Sequence, residues 1–295
     1  MSPGLNRYFI LFFFRYLFNC ESSILVFQEP RNSRLWKEME TTGVLDMELV
    51  DHVFSKCCQQ QGLIKEDILN MMEQFGLIVR FATSPTNEMY FVPCQLKTPP
   101  DALCEMEPSQ SDLCPLYLNF LGGFVPHGFF WQLVSRCTRW CSRNGFGQPP
   151  RFFHAAALFF IKSKFTYHLV LLCKKRFIKI VLKPTQSVCG PSFPEANEVA
   201  ILVRTFLEGT MQNLRRELPW LSNLTWDLRV ACPSCQQVED TCSRHVDDSC
   251  DDEDCLCLLR ILEGGQLSDC PKRFCAEVPT VTGVEKWFAV KGEIT

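Results

Sequence analysis

The sequence predicts an α+β fold: a winged-helix-like first half, then an antiparallel sheet with packed helices and a small Cys-rich, zinc-ribbon-like element. Three observations lead there. Two apolar stripes at helical spacing precede a hairpin pattern in the first hundred residues. Three long runs of Phe, Ile, Leu and Val, joined by short polar turns, fill the middle. Eight of the 18 cysteines crowd between Cys232 and Cys275. At 295 residues the chain is long enough for about two domains, and its 46% hydrophobic content is ample for packed cores.

Residues 1–32 read as an N-terminal extension. Its apolar run Tyr8–Phe18 is interrupted by Arg15 and is only eleven residues long, whereas a bilayer span needs about 20. No small-x-small cleavage site precedes Cys20, so a buried segment fits better than a signal peptide. Residues 33–94 form the winged-helix-like half. Leu49, Val50, Val53, Phe54 and Cys57 make one helical stripe; Ile68, Met71, Met72 and Phe75 make a second, with Glu66 and Asp67 in its first turn and Gly76 at its end. Leu77–Phe81 and Tyr90–Val92 then flank the turn cluster Ser84-Pro85-Thr86-Asn87.

Residues 95–115, with four prolines, read as a linker. The second half, 116–230, opens on the strand-like Leu116–Leu121, and Phe130, Leu133, Val134, Cys137 and Cys141 follow at helical spacing after Gly128. Phe153–Lys162, Phe165–Lys174 and Phe177–Lys183 read as an antiparallel meander, the first weakened by Ala155-Ala156-Ala157. Glu195–Glu217 reads as a long helix with Val199, Leu202, Val203, Phe206 and Leu214 inward, and Leu224–Val230 as a last strand. Residues 231–275 are the Cys-rich element, within which Asp254–Leu262 reads as a helix carrying Cys255, Leu258, Leu259 and Leu262 on one stripe. Residues 276–295 form a tail.

Charge is unevenly spread. Leu113 to Pro194 carries eleven Lys and Arg and no Asp or Glu, leaving 19 basic against 33 acidic residues, or −14, on the flanks of a chain of net charge −3. A basic centre suits a negative partner surface; the overall balance excludes wholesale nucleic-acid coating. Scattered cysteines in apolar patterns behave as small hydrophobes, so their distribution suits a reduced, cytoplasmic protein with one metal-type cluster rather than a disulfide framework.

Cys232-Pro233-Ser234-Cys235 at the end of a predicted strand is the strongest chemical signal. A C-x-x-C knuckle lets two thiolates face one cation, and a tetrahedral zinc needs two more ligands. Cys242, His245, Cys250, Cys255, Cys257, Cys270 and Cys275 are candidates, Cys255 being the rival that could equally be core. The acidic run Asp247–Asp254 lacks the glycine and terminal glutamate of an EF-hand loop. His127 and His154 have no ligand-type neighbour at useful spacing, and no G-x-S-x-G is present.

Four pieces resemble the COR domain, the module that follows the Ras-like Roc GTPase in Roco proteins. They are Thr42-Gly43-Val44-Leu45 with Leu49-Val50; the segment Ile68 to Ile78 with Tyr90-Phe91-Val92-Pro93; Leu116-Tyr117 with Phe120; and Gly123-Phe124-Val125-Pro126-x-Gly128-Phe129-Phe130 with Leu133-Val134. The resemblance spans about Ser33 to Val230, and Pro126-x-Gly128 is its most specific part. It implies a non-enzymatic scaffold that dimerises and couples to a Roc-type GTPase domain. No phosphate loop, leucine-rich repeat or kinase signature occurs in this sequence. Likeness to a Cys-Pro-x-Cys, His, Cys-Pro pattern in some COR-bearing proteins implies one structural zinc on Cys232, Cys235, His245 and Cys270. Lys286–Thr295 resembles the opening strand of a module shared by ankyrins, netrin receptors and tight-junction scaffolds, which implies that the tail is the start of a further domain. The competing expectation is a nucleic-acid-binding protein built from winged helix, basic sheet and zinc ribbon; inward, core-like Phe residues in the basic stretch count against a stacking platform.

Overall fold

The computed structural model describes residues 30–52, 64–74, 77–84, 87–92, 96, 103, 113–126, 128–144, 148–163, 166–185, 193–233, 256–262, 265–270, 281 and 283–288. The chain is α+β and divides into two units, Met1–Thr98 and Pro99–Thr295. Val53, Phe54, Cys57, Phe75 and the run Tyr8–Phe18 lie outside the described residues.

In the first unit, helix α1 (Pro30–Thr42) buries Leu35, Trp36 and Met39. Gly43 ends it with φ +71, a conformation that costs an L side chain strain, and its N–H bonds the Met39 carbonyl. Strand β1 (Val44–Leu45) follows, then a helical segment, 47–52, capped by Asp46, whose Oδ1 accepts the Glu48 N–H at 2.7 Å. Helix α2 (Lys65–Gln74) buries Ile68, Leu69 and Met72; Met71, expected inward, is only half-buried. Strands β2 (Val79–Ser84) and β3 (Asn87–Phe91) form the expected hairpin, and β1 pairs with β3, giving the order β1-β3-β2. The helices and Ile78, Tyr90 and Val92 share one core.

The second unit is built on a seven-stranded antiparallel sheet, ordered β10-β9-β4-β8-β7-β6-β5. Its strands are β4 (Leu116–Phe120), β5 (Arg151–Phe153), β6 (Ala156–Lys162), β7 (Thr166–Cys173), β8 (Phe177–Pro184), β9 (Trp226–Ala231) and β10 (Leu258–Arg260). Helices α3 (Phe129–Arg143) and α4 (Phe193–Glu217) supply the other layer. Alternation sorts the strands: Leu116, Leu118, Phe120, Phe159, Leu169, Leu171, Ile178, Ile180 and Leu182 join the helices in the main core. Ala156, Leu158, Phe160, Val170 and Val181 form a second apolar cluster with Leu103, a residue of the segment read as linker. Both faces of the central strands are therefore apolar, which is why they read as continuous runs.

Three expectations need correction. The run Phe153–Lys162 is not one strand: Ala155 has φ +56, and a turn at His154 and Ala155 separates β5 from β6. Leu202 on α4 is 48% exposed, while Leu207 and Met211 take inward positions. The described part of Asp254–Leu262 is a strand, not a helix: β10 lies on β9 with Leu258 opposite Ala231. Edge pairing outweighs the weak local helix preference of this Cys- and Asp-rich stretch.

Residues 283–288 pack into this unit. Trp287 is fully buried in the main core with Val284, and its Nε1–H donates to the Cys114 carbonyl at 2.8 Å. Arg204 of α4 stacks over the Phe288 ring at 4.4 Å.

Candidate functional site

Two places in the second unit carry chemistry or exposure that the core does not explain. The first is the loop after β4. Leu121 is 55% and Phe124 58% exposed. They are not on a loose tip: Phe120 N–H donates to the Arg176 carbonyl, Leu121 N–H to Thr225, Gly123 N–H to Phe120 and Val125 N–H to Lys175. Two of these bonds fasten the loop to the β7–β8 turn Lys174-Lys175-Arg176, where Lys175 is exposed, and one ties it to Thr225 before β9. Gly128, at φ +79 ahead of α3, gives the left-handed step that lets the chain turn from this loop into the helix. The Pro126-x-Gly128 signature thus shapes one end of the sheet.

The other cations of the basic stretch lie elsewhere. Arg136, Arg139 and Arg143 are on α3, where Arg136 pairs with Glu217 of α4. At 15 residues α3 is about 22 Å long, so Arg143 stands well away from the loop that starts the helix. Asp227 of β9 is buried and receives Arg229 on both oxygens, at 2.8 and 3.0 Å, with Asn119 at 3.2 Å. This neutralises a charge inside the sheet edge.

The second place is the β9–β10 edge. Cys232 follows β9 and is fully buried; Cys270 is half-buried. Cys235 and His245, the other expected zinc ligands, lie outside the described residues, as do Cys242, Cys250, Cys255 and Cys275. Among the described residues no group of three or more His, Cys, Asp and Glu side chains is arranged to hold a metal ion. What the fold does bring together is Cys257 and Cys270, with sulfurs 3.4 Å apart, and Cys232, whose N–H donates to the Cys257 carbonyl at 2.8 Å. Sequence spacing offered Cys257 only as one candidate of seven; the helix reading of 254–262 hid its strand position.

Cys114, Cys137 and Cys141 are packing groups. Burial pushes the Cys114 thiol up to about 12, with Glu285 adding to the effect, and burial alone pushes Cys141 up to about 12. Cys137, fully buried on α3, is raised well above the usual thiol range by the same cause. Such thiols stay protonated and unreactive. His154 is exposed in the β5–β6 turn, and His127 lies outside the described residues. Among the described residues no helix is long and apolar enough to cross a membrane. Comparison with known proteins gave no matching family model and no matching curated protein.

Proposed function

We propose that this chain is a non-enzymatic scaffold and dimerisation module of the COR kind, which couples to a Ras-like GTPase domain. The carrying observation is the rigid, exposed Leu121–Phe124 loop beside the Lys174–Arg176 turn. Large apolar side chains held out in water by main-chain bonds fit a partner surface, and the adjoining cations give that partner an acidic character. The order helix, β1, helix, helix, β2, β3 with sheet order β1-β3-β2 supports the winged-helix reading of the first unit.

Nucleic acid is the weaker reading. Helix α2, which precedes the hairpin, holds Glu66, Asp67 and Glu73 against Lys65, and Lys65 pairs with Asp51 at 2.7 Å. Phosphates would meet repulsion there. The Phe residues of β6 and β8 are buried rather than available for stacking.

A structural zinc at the β9–β10 edge belongs to the same reading, held by Cys232, Cys235 and Cys270, with His245 as the fourth ligand expected from sequence. Zinc would supply a cross-link here, not an open catalytic position. Soft thiolates are donors that zinc prefers, and of these four ligands only Cys232 and Cys270 are among the described residues. Cytoplasmic, reducing surroundings would keep them available.

Sedimentation velocity of the full chain at tens of micromolar should show a dimer; a strict monomer would count against the dimerisation part. Titration calorimetry with a Roc-type GTPase domain should show binding that Phe124→Asp weakens at least about tenfold, an effect of ~1.4 kcal/mol. Equal affinity of wild type and variant would remove the loop from the reading.

A further inference from the structure

We propose that the outer face of the second unit's sheet is the docking site of the chain's own acidic segment 99–112, anchored by Leu103. The basic centre of the chain then meets part of its acidic flank within one molecule. The cations involved are not those of the Lys174–Arg176 turn, so this inference stands or falls apart from the partner reading above.

Leu103 carries the inference. It is 3% exposed and lies in an apolar cluster with Ala156, Leu158, Phe160, Val170 and Val181. Those five belong to β6, β7 and β8. They point away from the main core, which takes the alternate residues of the same strands, Phe159, Leu169 and Ile180 among them. Phe153 and Leu172, packed against the cluster, are also strand residues. Among the described residues Leu103 is thus the one member from outside the sheet. A plain linker would leave such a side chain in water.

The chain can reach this face. Leu113, ten residues after Leu103, is buried in the main core just ahead of β4. Ten extended residues span up to about 33 Å. β4 stands three strand spacings from β6, with β8 and β7 between them, or about 14 Å.

Charge complementarity selects this segment as the occupant. Residues 99–112 hold Asp101, Glu105, Glu107 and Asp112 and no Lys, Arg or His. Strands β5 to β8 hold no Asp or Glu. Cross-strand pairing puts their cations on the outer face: Arg151 opposite Leu158, Lys179 opposite Leu172 and Lys183 opposite His168. Lys162 joins them, two residues beyond Phe160 on β6. Arg151 lies over the Phe160 ring at 5.7 Å, and His168 packs edge-on against the same ring. Burial first, then the charges of Arg151 and Lys183, lower the proton affinity of His168, which places both cations close to the cluster. An apolar patch rimmed by cations fits an acidic segment that inserts one leucine.

The test is zero-length coupling of carboxylates to amines on the unmutated full chain at low micromolar concentration. An equal mixture of isotope-labelled and unlabelled protein, read by mass spectrometry, separates coupling within a chain from coupling between chains. Products should join Asp101, Glu105 or Glu107 to Lys162, Lys179 or Lys183 within one isotopic form. Their yield should fall at least about threefold in about 1 M salt, where the Debye length shrinks to about 3 Å. Products that mix the two isotopic forms would give the face to a second copy and overturn the inference. Products that run only to other lysines, or no product at all, would overturn it as well. Leu103→Ala supplies a second readout by hydrogen exchange: peptides covering β6 and β7 should open at least about tenfold faster. Unchanged exchange there would remove Leu103 as the anchor.

Discussion

The two units treat their charged groups differently. In the first, the described cations near α2 turn back onto the unit's own acids and amides: Lys65 to Asp51 at 2.7 Å, Arg80 to Glu73 at 3.7 Å and to Asn70 at 2.9 Å. The second unit pairs some cations too, Arg229 with Asp227 and Arg204 with Glu208. At one sheet end, however, it sets an exposed lysine beside two exposed apolar side chains on a loop fixed by four main-chain bonds. Exposed ion pairs contribute little stability, about 0–1 kcal/mol, so the first unit's pairs chiefly decide what its surface offers a partner. A surface with internally satisfied charges offers little; a rigid apolar and cationic one offers anchor and steering together. We therefore propose partner contact for the second unit and a packing role for the first.

The largest effect should come from the second unit's core. Trp287→Ala removes a fully buried indole and leaves the Cys114 carbonyl without its donor. The expected loss is about 4 kcal/mol, read by hydrogen exchange as earlier opening of β4, α3 and α4 while α1 and α2 keep their protection. Equal loosening of both units would break the comparison, because the units would then not be separate in stability.

Gly43→Ala probes the first unit in the same way. A Cβ there would meet Phe91 Cε2 at 2.4 Å on a backbone at φ +71. A loss of about 2–3 kcal/mol is expected, confined to α1 and the three-stranded sheet. Unchanged protection in those peptides would mean that the turn does not set the register of β1 on β3.

A smaller effect should follow pH. Burial first, then Arg151 and Lys183, lower the proton affinity of His168, which sits opposite Lys183 and packs edge-on against Phe160. The unfolded chain therefore binds this proton first as pH falls through about 6.5. Stability is full above that value and declines below it until the folded-state pKa is passed. Urea unfolding at pH 7.5 and 5.5 should show the decline, and His168→Gln should flatten it; an unchanged slope in the variant would shift the cause to other groups.

Much of this fold could be read from residues. The α3 stripe Phe130, Leu133, Val134, Cys137 and Cys141 is buried as its spacing indicates, two of the three apolar runs became β7 and β8, and most of the first became β6. The hairpin around Ser84 to Asn87 formed with strands of five and six residues. Failures fell where tertiary pairing outweighs local pattern. The Ala155-Ala156-Ala157 run weakens the strand reading there, but the turn itself, with Ala155 in a conformation that alanine rarely takes, is not legible. The sequence around Leu258 suits a helical stripe as well as a strand, and only the partner strand β9 decides between them. The same ambiguity hid that Cys257 lies directly before a strand rather than on a helix. That Leu121 and Phe124 would stay in water depends on main-chain bonds to Lys175, Arg176 and Thr225, which local sequence does not reveal.

The most direct measurement is a hydrogen-exchange footprint of the full chain with and without a Roc-type GTPase domain. Added protection should concentrate in peptides covering 121–125 and 174–177, fade at high salt as screening weakens the cationic contribution, and leave α2 unchanged. Protection centred on Lys65–Gln74, or a footprint that spares the Phe124 loop, would contradict the assignment of partner contact to the second unit.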